Sequence, residues 1–521
     1  MVVLYFPIAL IIVAYFLYRN LTSNLDYWKK RNIPGPEPIP FFGNLKESAL
    51  RRLPVGLLYK KFYQDYPEEK VVGIYLMKTP AVLVRDLEVA KHILIKDFNV
   101  FSDRGIKFGE KDMGANLFHA DGDTWRVLRT RFTPIFTSGK LKNMLHLITE
   151  RADKFVEYVD KITKGQVEQE VHSLVQKYTQ ATIAACAFGL DIDTYAQLSG
   201  TLQRIDKKIF TVNSSSILDM LYPGILKKLG VSKFPKEVKE FFYDLTKRII
   251  TERQGKPTDR NDFMDLILVK TFFEKLIKTV IADRQGKTSN RHDFVDLLLN
   301  LRKDELSGQI RDNGDAAKSL DMSDEDIAAQ AYIFYAAGYE SSASTMGFLL
   351  YQLALNQDIQ DRLYAEIQEA LEKNGGEMTY SAIMELTYME KVFNETLRMY
   401  PIITKLKRRA KTAYKVPGTD ITLDKGQLIK ISILGIHHDE RYYPNPEVFD
   451  PERFSPENYF LIVPGIRFAQ MQSWVGLAKL LSQFQVQPSE NTPLPTEFQY
   501  DPHRVMLYPK GGFPIDIVRR Y

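Results

Sequence analysis

The segment PERFSPENYFLIVPGIRFAQM, from Pro451 to Met471, is predicted to join a turn to a helix. The other motifs of the chain are compared with this segment. It begins with an arginine-bearing turn, and a short apolar run, Tyr459 to Val463, follows. A helix is predicted to begin near Gly465, since apolar residues then recur at helical spacing. The segment contains no cysteine.

The composition is that of a globular protein with a large core. The chain has 521 residues, of which 45% are hydrophobic and 26% charged, and it contains 28 Tyr and 31 Phe. This length is compatible with several domains, but a large helical protein can hold one core of the same size. The formal net charge is +5 without a long Lys/Arg block, which argues against nucleic-acid binding and favours an acidic partner or an anionic membrane surface.

The chain contains a single cysteine, Cys186. No intramolecular disulfide can therefore form, which indicates a reducing compartment for the bulk of the protein. Cys186 lies in an apolar helical segment, where a free cysteine usually acts as a small buried hydrophobic residue.

Residues 1–18 are predicted to form a transmembrane signal anchor. They carry no charged side chain, and a helix of this length spans roughly 27 Å, close to the hydrocarbon thickness of an endoplasmic-reticulum bilayer. A cleaved signal peptide, the alternative, would need a basic residue before the apolar run and a small-residue cleavage site after it, and neither is present. Basic residues follow the run instead, which predicts a cytosolic location for the rest of the chain: Arg19, Lys29, Lys30 and Arg31.

The residues after the anchor predict a linker, a stiff hinge and one large domain. The linker covers residues 19–44 and includes a proline-rich hinge at residues 33–44, where the alternating prolines preclude a helix or a central strand. Residues 45–521 are predicted to form a single, mainly α domain with minor β structure. Within it, β-branched runs at residues 71–76 and 81–86 predict paired strands.

Helical periodicity dominates from residue 87 to residue 400. It is clearest at residues 144–160, 326–355 and 359–373. A second β-rich patch is predicted over residues 414–433, shortly before the PERF turn.

An internal repeat precedes the longest predicted helix. Residues 242–268 recur as residues 273–299, with RQGK and DF-x-DL in both copies. Two copies do not make a solenoid, because stacked repeats need about three or more units to build a continuous core. A tandem-duplicated exon is the more economical interpretation.

Two helical segments and the PERF turn place pairs of polar residues in apolar surroundings. Trp125 and Arg129 lie four residues apart on one helical face, so an indole N–H and a guanidinium can address the same carboxylate. Glu395 and Arg398 are spaced i, i+3, which predicts a buried ion pair that could lock to Arg453 of the turn. Each pair alone is more often an ordinary packing contact; in this order and with these separations they are specific.

The segment YAAGYESSAS adds an acid and hydroxyls to an otherwise apolar helix. Its small residues Ala336, Ala337 and Gly338 allow a flat ligand to approach the backbone. Glu340 and Ser341 are then available to relay protons to that ligand. The alternative for Ser341 is a hydroxyl that bonds back to its own helix.

Together these motifs resemble those of the cytochrome P450 superfamily, and the segments FSDRG, LKRRAKTAY and HHDERYYPNPEVFDPERF are most similar to those of insect microsomal enzymes. The resemblance covers nearly the whole chain. It implies the P450 fold, a haem cofactor and haem-thiolate monooxygenase activity. It also implies that the haem propionates are held by Trp125, Arg129 and Arg408. Oxygen activation and proton delivery are assigned by the resemblance to Glu340 and Ser341. A structural triad beneath the haem loop would consist of Glu395, Arg398 and Arg453.

The family's axial ligand is a cysteine thiolate in a loop of pattern FxxGxRxCxG, placed between PERF and the next helix. Here Asn458 is followed by YFLIVP and then by Gly465, so the expected axial cysteine is absent and no metal ligand is assigned. Cys186, which is remote from this loop, is a poor substitute. So are His437 and His438, which match ordinary family residues before the PERF turn.

Two functions follow from this resemblance. In the first, the protein is a membrane-bound, haem-dependent monooxygenase that takes electrons from an NADPH-dependent flavoprotein reductase and inserts one oxygen atom from O2 into a lipophilic small molecule. This holds if the missing loop, like the duplicated segment, is a fault at an exon boundary. In the second, it is a haem-free, catalytically dead homologue that acts as a membrane-tethered binding protein. The expected location is the endoplasmic-reticulum membrane, and the substrate can be a plant toxin, an insecticide or a hormone.

Overall fold

The computed structural model describes residues 2–105, 113–133, 138–188, 199–222, 225–229, 234–253, 262, 264, 324–455 and 467–521. Two predicted features lie outside the described residues. They are the second copy of the repeat, residues 273–299, and the segment from Asn458 to Gly465. The first copy, residues 242–268, is described only at residues 242–253, 262 and 264.

Helices make up most of the described chain. In chain order the α-helices are α1 (Val2–Thr22), α2 (Lys46–Ala49), α3 (Val55–Asp65), α4 (Leu87–Lys91), α5 (Gly122–Phe132), α6 (Ser138–Thr163), α7 (Val171–Ile183), α8 (Ser199–Phe210), α9 (Ser214–Leu221), α10 (Ile225–Lys228), α11 (Lys236–Glu252), α12 (Asp324–Leu355), α13 (Gln357–Lys373), α14 (Tyr380–Met384), α15 (Thr387–Met399), α16 (Ile433–His437) and α17 (Arg467–Leu481). Turns of π-helix follow α4 and α7, and residues Pro451–Phe454 form a 3-10 turn.

The strands form small sheets beside the helices. They are β1 (Val71–Leu76), β2 (Thr79–Val84), β3 (Glu168–Glu170), β4 (Lys405–Arg409), β5 (Tyr414–Lys415), β6 (Thr422–Leu423), β7 (Leu428–Ser432), β8 (Phe484–Pro488) and β9 (Pro514–Arg519). One sheet has the order β1-β2-β7-β4, another the order β3-β9-β8, and β5 pairs with β6.

The sheet β1-β2-β7-β4 is buried on both faces. β1 and β2 are antiparallel, with Val71 opposite Val84, and β2 runs parallel to β7. All residues of β1 and β7 are buried, as expected for strands that are covered on two sides. One face packs on α3, and the other packs on the segment around Trp28 and Phe101.

The long helix α12 forms the centre of the main core. Most of its side chains are buried, as expected for a helix in the middle of a large domain, and it packs most extensively against α7. Gly338 of α12 allows this approach, because a Cβ there would lie 2.7 Å from Cδ1 of Ile183. A second close contact joins α17 to α7, where a Cβ on Gly476 would lie 2.4 Å from the ring of Tyr178.

Several sequence-based predictions are confirmed by these elements. The domain is mainly helical with minor sheet, and the predicted helices at residues 144–160, 326–355 and 359–373 lie within or nearly within α6, α12 and α13. The paired strands form as predicted, although the second starts at Thr79 and ends at Val84. Neither helix nor regular strand covers the proline-rich residues 33–44.

The N-terminal residues form α1, within which the anchor of residues 1–18 was predicted. In the part of the chain that the structure describes, no helix combines the length and apolar character needed to cross a membrane. The anchor therefore stays a prediction.

Candidate functional site

Helix α5 carries Trp125 and Arg129 beside the segment that contains Arg104. The indole ring of Trp125 packs against Phe98, with ring centroids 5.5 Å apart, and Arg129 is exposed. The carboxylate of Asp121 accepts hydrogen bonds from the backbone N–H of Arg104, at 2.7 Å, and of the next residue, at 3.2 Å. The start of α5 and the loop around Arg104 are thereby held together.

The guanidinium of Arg104 interacts electrostatically with two other arginines, Arg129 and Arg408. Burial and the charge of Arg104 lower the pKa of Arg408 to about 10, and Asp121 offsets only part of this effect. Burial also lowers the pKa of Arg104, to which the charge of Arg129 contributes. Arg104, Arg129 and Arg408, which lie far apart in sequence, therefore form one cationic cluster.

Arg408 leaves a hydrogen-bond donor without a partner. One of its terminal N–H groups donates to the carbonyl of Lys407 at 2.9 Å, but its buried Nε has no partner among the described residues. An unpaired buried donor costs about 1–3 kcal/mol, and an anion placed among the guanidiniums would satisfy it. The cluster therefore has the chemistry of a carboxylate-binding site and fits the propionate groups of a haem.

Glu340 and Ser341 are neighbours on α12 but have different environments: Glu340 is buried, and Ser341 is half-buried. Glu340 is only 1% exposed, and its carboxylate contacts α7 and the segment around Arg504. Burial opposes its ionisation, but His172, Arg504 and Gln176 outweigh that effect and lower the pKa of Glu340. The structure therefore shows a buried carboxylate that is ion-paired.

The hydroxyl of Ser341 is engaged by its own helix. It donates to the carbonyl of Ala337 at 2.6 Å, and Ala337 is exposed in this structure. The carbonyl of Gly338 accepts from the amide of Gln472 of α17 at 2.6 Å. Gly338 thus serves the contacts of α12 with α7 and α17, and a role of Ala337 or Gly338 beside a cofactor stays a prediction.

An ion-paired cluster joins α15 to the PERF turn. It consists of Glu395 and Arg398 on the helix and Arg453 in the turn. Arg398 donates to both carboxylate oxygens of Glu395, at 2.7 Å and 2.9 Å, and Arg453 Nε lies 3.4 Å from the same carboxylate. The backbone N–H of Asp450 also donates to Glu395 at 2.9 Å. Arg398 donates further to the carbonyl of His437 at 2.9 Å. This cluster fixes the path of the chain from α16 to the turn.

The residues considered as substitute iron ligands are either hydrogen-bonded to other groups or buried. His437 Nδ1 lies 3.1 Å from the carbonyl of Arg398, and burial lowers its pKa to about 4. Both ring nitrogens of His438 have partners, Glu447 and the carbonyl of Met399, each at 2.9 Å. Cys186 is fully buried, and burial raises the pKa of its thiol.

Sequence reasoning did not single out Arg104, His172 or Arg504 as site residues. Arg104 belongs to FSDRG, a segment noted only for its resemblance to the family, and that resemblance was the available signal. His172 and Arg504 carry no local signal, because they meet Glu340 from positions far away in sequence.

Comparisons with known proteins support the resemblance seen in the motifs. The family model described as cytochrome P450 matches residues 33–513. Cytochrome P450 6B1 of Papilio polyxenes is 48% identical, over 99% of this chain and 100% of the relative. Cytochrome P450 6B2 of Helicoverpa armigera is 46% identical and cytochrome P450 6a2 of Drosophila melanogaster 35% identical, each over 99% of both chains. The predicted family is thereby confirmed.

Proposed function

Since the chain belongs to the cytochrome P450 family, whose members are haem monooxygenases, we propose that its natural form is a membrane-bound monooxygenase. It inserts one oxygen atom from O2 into a lipophilic small molecule, with electrons from an NADPH-dependent flavoprotein reductase. The observation that carries this proposal is the guanidinium cluster around Arg408, whose buried Nε lacks a partner among the described residues. A bound carboxylate, such as a haem propionate, would complete it.

The described residues act in this proposal by binding and positioning. Arg104, Arg129 and Arg408 neutralise the propionates, and Trp125 offers an indole N–H on the same helix face as Arg129. When bound, the haem supplies the oxygen chemistry, and the protein supplies orientation and electrostatics. Ser341 holds a proton on its hydroxyl at the exposed side of α12, next to Ala337.

The triad of Glu395, Arg398 and Arg453 is assigned a structural role. It ties α15 to the PERF turn through buried, charge-assisted hydrogen bonds. The haem loop of the family follows this turn, so the triad would hold the start of that loop.

The axial ligand is the part of the site that this sequence does not provide. No cysteine lies between Asn458 and Gly465, and we attribute this, like the repeat of residues 242–268 and 273–299, to faults at exon boundaries. Sequencing the transcript across both regions tests this attribution. A transcript that encodes a cysteine in the loop supports the enzyme, whereas one that reproduces YFLIVPG refutes it.

The direct test of activity is the spectrum of the reduced, carbon-monoxide-bound protein, expressed from the natural transcript. Thiolate-ligated haem gives a characteristic Soret shift, which we expect to observe. A variant with Arg408→Met should retain haem less well, while Lys415→Met, at an exposed position on β5, should behave as the unchanged protein. A natural protein that binds no haem would refute the proposal.

The second candidate is a haem-free, membrane-tethered binding protein. The absence of the axial cysteine from the sequence is the observation that favours it. It predicts no carbon-monoxide band but retained binding of lipophilic molecules, which a fluorescent-ligand titration would detect.

The location and electron donor extend the proposal. We place α1 in the endoplasmic-reticulum membrane and the remaining chain in the cytosol, as the charge pattern after residue 18 predicts. With a net charge of +5, the protein would meet an acidic surface of the reductase, so electron transfer should slow as salt is raised. An electron-transfer rate that does not depend on salt would refute this contact.

A further inference from the structure

Glu340 lies in a buried cluster of charged and polar side chains that contact both of its carboxylate oxygens. One carboxylate oxygen lies 3.4 Å from Nε2 of His172 and 3.5 Å from a terminal nitrogen of Arg504. The other oxygen accepts a hydrogen bond of 2.8 Å from the amide of Gln176. His172 is only 2% exposed, and its buried Nε2 has no hydrogen-bond partner among the described residues. It lies within ion-pair distance of Glu340, so a protonated His172 pairs with that carboxylate.

A second carboxylate belongs to the same cluster. Asp206 of α8 accepts a short hydrogen bond from the hydroxyl of Tyr339 and lies 3.9 Å from the guanidinium of Arg504. The amide of Gln176 that donates to Glu340 also donates to Asp206, at 3.3 Å. One amide and one guanidinium therefore contact both carboxylates.

The charges around Glu340 are balanced by residues from separate elements. Burial disfavours the protonated imidazole of His172, but the neighbouring carboxylate of Glu340 outweighs this and raises the pKa of His172. Burial and the charge of Glu340 raise the pKa of Asp206 to about 6. The groups that face His172 from the packed elements and from its own helix start are Glu340, Asp206, Arg504, Glu170 and the ring of Tyr508.

Arg504 also connects the cluster to the junction of α8 with residues 501–508. The N–H of Val212, just after α8, donates to the carbonyl of His503 at 2.7 Å. The N–H of Val505 donates to the carbonyl of Phe210 at 2.9 Å. These two bonds join the end of α8 to the segment that carries Arg504.

We propose that His172 and Arg504 are positioning residues for Glu340, which hold its carboxylate on the buried side of α12 and thereby fasten residues 501–508 and the end of α8 to that helix. The contacts themselves require no cofactor. This inference rests on the proposed function only for the part of Glu340 in proton supply.

The first test is a double-mutant cycle in the full chain. His172→Gln, Glu340→Gln and the double variant are compared by thermal unfolding, with His146→Gln, at an exposed position on α6, as the control. If the two groups act on each other, the midpoint loss of the double variant is smaller than the sum of the two single losses. Additive losses would overturn the proposal.

The second test measures hydrogen exchange at the amides of Val212 and Val505. Arg504→Met should reduce their protection by about tenfold, which corresponds to a coupling in the usual range for groups that share a network, and Arg504→Lys should restore part of it. Unchanged protection in Arg504→Met would overturn the fastening of residues 501–508.

A third measurement uses the unchanged protein and therefore does not depend on the folding of any variant. In the unchanged protein, the protection of Val505, corrected for the intrinsic pH dependence of exchange, should fall as the pH rises through the raised pKa of His172. A protection that does not vary with pH would overturn the role of His172. None of these readouts requires haem, so a missing carbon-monoxide band would refute the proposed function and leave this inference standing.

Discussion

The substitution Glu395→Gln should strongly destabilise the fold, because it leaves the guanidinium of Arg398 buried without an opposite charge. Arg398 is 1% exposed and Glu395 is fully buried. Arg398 directs two of its hydrogen bonds to Glu395, at 2.7 Å and 2.9 Å. Burial raises the pKa of Glu395 even beside Arg398, which shows how unfavourable an isolated charge is at this position.

The expected loss follows from the removal of one member of a buried pair. Such changes lower the free energy of unfolding by about 3–5 kcal/mol, whereas replacing both members by uncharged side chains is often far less costly. The double variant Glu395→Gln with Arg398→Met should therefore be more stable than Glu395→Gln alone.

Urea unfolding followed by tryptophan fluorescence measures this loss. Trp474 is a suitable reporter, since it is buried and its ring lies 6.3 Å from that of Phe393, two residues before Glu395. Glu369→Gln, which breaks an exposed pair with Lys373, is the matched control and should leave the midpoint unchanged. The reasoning is wrong if Glu395→Gln unfolds at the same urea concentration as the control, or if the double variant is the less stable of the two.

Three further outcomes are expected. Cys186 should resist thiol alkylation in the native protein and react only when the chain is unfolded, because it is fully buried and its thiol pKa is raised; mass spectrometry of the peptide that contains it, with and without denaturant, checks this. Gly476→Ala should lower the free energy of unfolding by about 1–3 kcal/mol in urea titrations, because the added Cβ would overlap the ring of Tyr178. Asp206 should contribute stability that is lost as the pH rises from 3.8 to about 6, since the folded state holds its proton more tightly than the unfolded chain does. The raised pKa of His172 should contribute stability that is lost above 6.5, and the differences in thermal midpoint between the unchanged protein and Asp206→Asn or His172→Gln across this range measure both contributions.

Local patterns in the sequence predict those features that depend on neighbours along the chain. The spacing of Glu395 and Arg398 places both side chains on one helix face, and the structure shows the bidentate pair there. Apolar periodicity predicts α12 and α13, because a helix that packs on other helices must repeat its apolar side chains every turn. The strand pair β1–β2 follows likewise from β-branched runs joined by a short turn.

Features that depend on distant residues could not be predicted in this way. The cluster of Arg104, Arg129 and Arg408 forms only when a loop, a helix and an edge strand meet. Gly338 shows the same limit. Its small size suggests a close approach, but only the fold shows that Ile183 of α7 makes that approach.

The arginine cluster also bears on the choice between the two candidate functions. Arg408 is partly desolvated, its pKa is lowered by burial and by Arg104, and its Nε lacks a partner among the described residues. In a protein that binds no anion there, this arrangement reduces stability by about 1–3 kcal/mol for the unpaired donor alone, and a neutral side chain would remove that penalty. In a haem protein the propionates convert the same arrangement into charge-assisted hydrogen bonds. The cluster therefore favours the proposed monooxygenase over the haem-free binding protein.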